Sequence, residues 1–211
     1  MSDLVRKLCA DLAPVPQWLV PGRLVLGLGA GFLVSVVLVL AILGPRPDMA
    51  QAMHTPMFWL KLAYPLSLAA IAMIASERLA RPAASARSRL IWLPLPFALV
   101  LVLALIALLV APPPAREALL MGHSARLCPF FVLASAIPPL AGLVWAMRGL
   151  APTRLRETGL IIGLAAGGAG AFAYAWACNE TGAPFLAVWY SLGIAATAIL
   201  GFLLGPRLLR W

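Results

Sequence analysis

The chain has 211 residues, 63% of them hydrophobic and only 11% charged, with a formal net charge of +9. Soluble domains carry about 25% charged residues, and none of this size could bury so much apolar surface. A soluble catalytic or nucleotide-binding domain is therefore excluded, and lipid is the expected solvent.

Residues 1–23 are the longest hydrophilic piece and form an N-terminal cytoplasmic segment. Ser2 is placed to cap a short helix from Asp3 to Leu12, which Pro14 and Pro16 end. At 100° per residue, Leu4, Val5, Leu8, Cys9 and Leu12 share one face. Asp3, Arg6, Lys7 and Asp11 occupy the other. Two roles suit such a helix: resting on the bilayer surface, or docking onto a cytoplasmic partner.

Six apolar runs follow, near Leu24–Gly44, Met57–Ser76, Leu90–Ala111, Leu127–Met147, Thr158–Trp176 and Phe185–Gly205. Each is close to the roughly 20 residues a helix needs to cross a bilayer core. Leu99–Val110 shows none of the alternation of a barrel strand. Backbone polar groups in lipid must then be satisfied within helices. The expected fold is all-α and polytopic: six transmembrane helices over 24–205 and a cytoplasmic tail over 206–211. The short connections between runs predict an antiparallel bundle.

The positive charge follows this pattern. One side of the membrane would hold Arg6, Lys7, Arg23, Arg78, Arg81, Arg87, Arg89, Arg148, Arg154, Arg156, Arg207 and Arg210. The other would hold Arg46, Arg116 and Arg126, with Lys61 just inside a span. This bias predicts that both termini are cytoplasmic. It gives the charge a topological role, and direct nucleic-acid binding is not expected. Glycines four apart, as at Gly27 and Gly31, or Gly159, Gly163 and Gly167, suit close helix packing within one chain or in a homodimer. Pro65, Pro138 and Pro139 should kink their helices.

Side chains able to carry chemistry are few. Acidic residues are nearly absent from the spans, which counts against proton-coupled transport. Lys61 is expected to snorkel to the interface, or to pair with Asp48 or Glu180. Cys128 opens the fourth run and Cys178 follows the fifth, both at the predicted outer face. A structural disulfide, a redox- or metal-responsive thiol pair and two unrelated thiols all fit. His123, Cys128, Cys178 and Glu180 are candidate ligands for a soft metal, although their spacing gives little support. No catalytic residue is expected: Ser124 follows His123, but no Asp is placed to orient that histidine.

Several segments carry a resemblance. They are Asp3-Leu4-Val5 with Leu8 and Pro14, Arg46-Pro47-Asp48, Phe58-Trp59-Leu60-Lys61-Leu62, and Met121-Gly122-His123-Ser124 with Cys128. They continue with Leu150-Ala151-Pro152-Thr153, Cys178, Glu180 and Val188-Trp189-Tyr190-Ser191-Leu192-Gly193-Ile194. In this order the chain resembles the negative regulator of sigma-F (NrsF) family of bacterial membrane anti-sigma factors. The resemblance implies an inner-membrane regulator without enzymatic activity, which holds an extracytoplasmic-function sigma factor inactive. It also implies that Cys128 and Cys178 sense stress. The apolar face Leu4, Val5, Leu8 and Leu12 would then bind the sigma factor, and Arg78, Arg81, Arg87 and Arg89 would add electrostatic contacts. No permanent cofactor is expected, only a transient metal at the cysteine pair. Ala177 and Asn179 stand where the family pattern has His and Pro, which weakens metal ligation more than a thiol pair. The alternative is a small transporter or permease for a metal or organic solute. A membrane thiol oxidoreductase would call for a C-x-x-C motif, which the chain lacks.

Overall fold

Continuous apolar composition makes helices here, and prolines and glycines set where they begin and cross. The computed structural model describes residue 16 and residues 18–81, 91–150 and 152–210. The predicted docking helix with Leu4, Val5, Leu8 and Leu12 lies outside the described residues, as do Arg87 and Arg89. Among the described residues all regular structure is helical. The helices are α1 (Leu19–Ile42), α2 (Met49–Ala52), α3 (Pro56–Leu79), α4 (Pro94–Val110), α5 (Pro113–Met121), α6 (Cys128–Arg148), α7 (Leu155–Ala175) and α8 (Ala183–Leu208).

Five of these, α1, α3, α6, α7 and α8, are long and apolar enough to cross a membrane. The third predicted run is different. It yields α4, an apolar helix of 17 residues, shorter than the other five. Proline explains both of its ends. Pro94 falls in the first turn, and Ala111 is extended (φ −69°, ψ 138°) because it precedes Pro112. The chain then forms the short helix α5, where the sequence pattern reads as a connection.

The bundle is organised around α7. Of its most apolar window 83% is buried, against 22% for α1. Its composition makes this possible: Gly159, Gly163, Gly167, Gly168 and Gly170, with alanines between them, let neighbours close in from several sides. A Cβ at Gly159 would stand 2.1 Å from the carbonyl oxygen of Gly201, and one at Gly168 2.6 Å from that of Pro65. Likewise a Cβ at Gly142 would stand 2.0 Å from the oxygen of Gly27. The glycine-rich faces of α1, α7 and α8 are thus covered within the chain. The pairings also run antiparallel: Gly27 meets Gly142 and Gly31 meets Pro138, while Gly159 meets Gly201 and Gly167 meets Ile194. Hydroxyls add polar ties at the crossings. Ser35 Oγ donates to the Ser135 carbonyl at 2.7 Å, and Ser135 Oγ lies 3.0 Å from the Gly170 carbonyl.

Candidate functional site at the cysteine-bearing end

The two cysteines lie 50 positions apart in sequence, yet both belong to one buried cluster with Phe58, Tyr174, Phe185 and Tyr190. Cys128 starts α6, and its N–H donates to the Ser124 carbonyl at 2.8 Å. Cys178 lies just past α7, and its N–H donates to the Tyr174 carbonyl at 3.1 Å. Both thiols are free and buried. The structural-disulfide alternative is therefore not the state of this structure.

Lys61 departs from expectation. It does not snorkel: the residue is 1% exposed, because the connection after α7 folds across the end of α3. Its ammonium donates to the Cys178 and Glu180 carbonyls, each at 2.7 Å, and lies 5.5 Å from the centre of the Tyr190 ring. Its partners are thus main-chain carbonyls, rather than the carboxylate of Asp48 or Glu180. Burying a cation is costly unless it is hydrogen-bonded, and these two carbonyls meet that need. The geometry also fixes the connection that carries Cys178.

The expected carboxylate partners are used elsewhere. Asp48 takes a bidentate pair from Arg46, with Nε to Oδ1 at 2.7 Å and an Nη to Oδ2 at 2.6 Å. Arg46 is itself 3% exposed, and its N–H donates to the Trp176 carbonyl at 3.1 Å. The hydrogen bonds from Arg46 hold the Asp48 carboxyl below the usual carboxylate range. Glu180 Oε1 accepts from the His123 N–H at 2.7 Å, the Ser124 N–H at 3.0 Å and Ser124 Oγ at 3.1 Å. Gly122 makes this approach possible. Its φ is +49°, and a Cβ there would stand 2.3 Å from Glu180 Oε2. Trp189 Nε1 donates to the Leu120 carbonyl at 2.8 Å, tying α8 to α5.

The four proposed metal ligands do not assemble. Among the described residues no three His, Cys, Asp or Glu side chains form a group that could hold a metal ion. Glu180 spends its carboxylate on the 123–124 backbone, and the His123 side chain is fully exposed. Arg78 and Arg81 lie at the opposite end of α3 from Lys61. Arg78 is exposed, and Arg81 pairs with Glu77 at 3.0 Å. Two buried residues here, Arg46 and Tyr190, were not among the expected site residues. A signal was available for Arg46: it is a cation on the side where cations are scarce.

Residues 8–211 match the family described as negative regulator of sigma F, NrsF. The chain belongs to the NrsF family. A relative from Caulobacter vibrioides, an anti-sigma-F factor NrsF, is 39% identical over 211 residues, covering 100% of this chain and 99% of its own length. One from Azospira oryzae, a probable anti-sigma-F factor NrsF, is 36% identical over 214 residues, with the same coverage. No solved structure matches. In this NrsF chain, most segments that carried the resemblance converge on one place. Arg46 and Asp48, Phe58 and Lys61, His123 and Ser124, Cys128, Cys178, Glu180 and Tyr190 all build the cysteine-bearing end.

Proposed function

We propose that the protein is an anti-sigma factor of the bacterial inner membrane, with both termini in the cytoplasm. It holds an extracytoplasmic-function sigma factor through Leu4, Val5, Leu8 and Leu12, aided by Arg78, Arg81, Arg87 and Arg89. The observation that carries this reading is the match to anti-sigma-F relatives along the whole chain. The cysteine-bearing end is the sensor. An oxidant or a soft metal ion reaching Cys128 or Cys178 alters the connection that Lys61 holds. Helix α3 joins the two ends, with Lys61 near its start and Arg78 near its finish. A stimulus acts as a switch only by favouring a second arrangement of these helices.

Affinity capture from native membranes in mild detergent tests the reading, using full-length protein beside a chain lacking residues 2–13. A sigma factor recovered only with the full chain supports both the function and the docking segment. Recovery with both chains moves the interface to the basic connections. Recovery with neither, from folded protein, discards the anti-sigma function and favours a transporter. Replacing Cys128 and Cys178 together with Ala tests the sensor: an unchanged stress response from correctly inserted protein would remove the cysteines from it.

A further inference from the structure

A groove runs between α6 and α8 on the lipid-facing side of the bundle. Ile137, Ala141 and Val144 form one wall and Leu200, Leu204 and Leu208 the other, enclosing about 530 Å³. From Ile137 to Arg148 the wall is roughly 16 Å long at 1.5 Å per residue. That is about half of a ~30 Å hydrocarbon core, the depth of one leaflet.

Two cations stand at its mouth. Arg23 reaches over from α1, and its guanidinium lies 4.9 Å from the centre of the Trp145 ring. Gly149 leaves the room for this: a Cβ there would stand 2.1 Å from the guanidinium carbon. The Nε of Arg23 is buried and has no hydrogen-bond partner among the described residues. Arg148 ends α6, and its Nε donates to the Leu208 carbonyl, which draws the guanidinium toward α8. Neither arginine forms an ion pair with an acidic side chain among the described residues. Two guanidinium groups with no acidic partner among the described residues are therefore held by a ring, a glycine gap and a carbonyl at the open end of an apolar slot. An arginine that serves only to orient the chain needs no such slot. Arg207, at the same end, is exposed and takes no part in lining it.

We propose that this groove binds an anionic phospholipid of the phosphatidylglycerol class. The phosphate sits between Arg23 and Arg148 beside Trp145, and one acyl chain lies along the wall toward Ile137 and Leu200. Charge complementarity selects the head group, and the apolar walls make the occupant a lipid rather than a free anion.

The test uses full-length protein, delipidated in detergent and mixed with equal phosphatidylglycerol and phosphatidylcholine, read by native mass spectrometry. One phosphatidylglycerol per chain should be retained in preference to phosphatidylcholine. Exchanging Arg23→Gln and Arg148→Gln should lower that preference by about fivefold for each cation lost. Arg207→Gln removes the same charge at the same end and should leave the preference unchanged. Ala141→Trp fills the groove from an exposed position with both arginines intact, and should reduce the lipid retained. This variant decides the matter where the double exchange does not fold. Added inorganic phosphate should not displace the lipid. Equal retention of the two lipids, an equal loss with Arg207→Gln, retention unaffected by Ala141→Trp, or displacement by phosphate would each overturn the proposal.

Discussion

The two ends of the bundle treat charge in opposite ways. At the cysteine-bearing end, Lys61 and Arg46 are buried and hydrogen-bonded, and the Glu180 side chain is only 13% exposed. At the other end, Arg78, Arg154, Arg156 and Arg207 are exposed, and the ion pairs present are local ones on the surface. Apart from Arg23 and Arg148 beside the groove between α6 and α8, the cations described at the second end need little from their surroundings. Lys61 and Arg46 at the first end are each fixed by specific partners. A few charges on the cation-poor end thus organise more structure than many on the rich one.

Four experiments bear on this contrast. Lys61→Met should have the largest effect, because it leaves the Cys178 and Glu180 carbonyls without their donor. A loss of about 2–5 kcal/mol is expected from thermal unfolding in detergent. Glu180→Gln keeps an acceptor oxygen but loses the charge that faces two N–H groups and a hydroxyl. It should cost about 1–2 kcal/mol, with faster proteolysis near Gly122 as a second reading. Asp48 adds a pH dependence. Its carboxyl is held below the usual range, so the stability from its pair with Arg46 is present above the unfolded carboxyl's pKa. That stability disappears as pH falls through the lowered value in the folded protein, while Arg46 stays charged. Melting curves across this acid range should differ between the native chain and Asp48→Asn, and should converge at the acid limit. The smallest effect belongs to the other end. Arg78→Gln and Arg81→Gln should each change unfolding by no more than about 0.5 kcal/mol. A comparable loss there and at Lys61 would dissolve the contrast between the ends.

The long apolar helices were legible because lipid imposes a simple rule of length and composition. The expected Met57–Ser76 became Pro56–Leu79, and Leu127–Met147 became Cys128–Arg148. The shortness of α4 was harder to see, since hydropathy does not weigh Pro94 and Pro112 as stop signals. The glycine spacing was visible, but spacing does not name the opposing helix. Gly27 could have faced a second copy as readily as Gly142. The cysteine-bearing end was legible in its membership and not in its wiring. Lys61 meets a carbonyl 117 residues away, a distance over which local pattern says nothing. The same limit hid the role of Glu180, whose partners are backbone N–H groups and a neighbouring hydroxyl.

That long separation has a consequence for biosynthesis. The second apolar helix leaves the ribosome well before its acceptors at Cys178 and Glu180 exist. Until the connection after α7 is made, the ammonium of Lys61 must stay with water or head groups at the membrane edge. The cysteine-bearing end therefore closes last, once the connection after α7 exists. A chain broken off before residue 178 lacks both carbonyls that seal Lys61 in the finished protein.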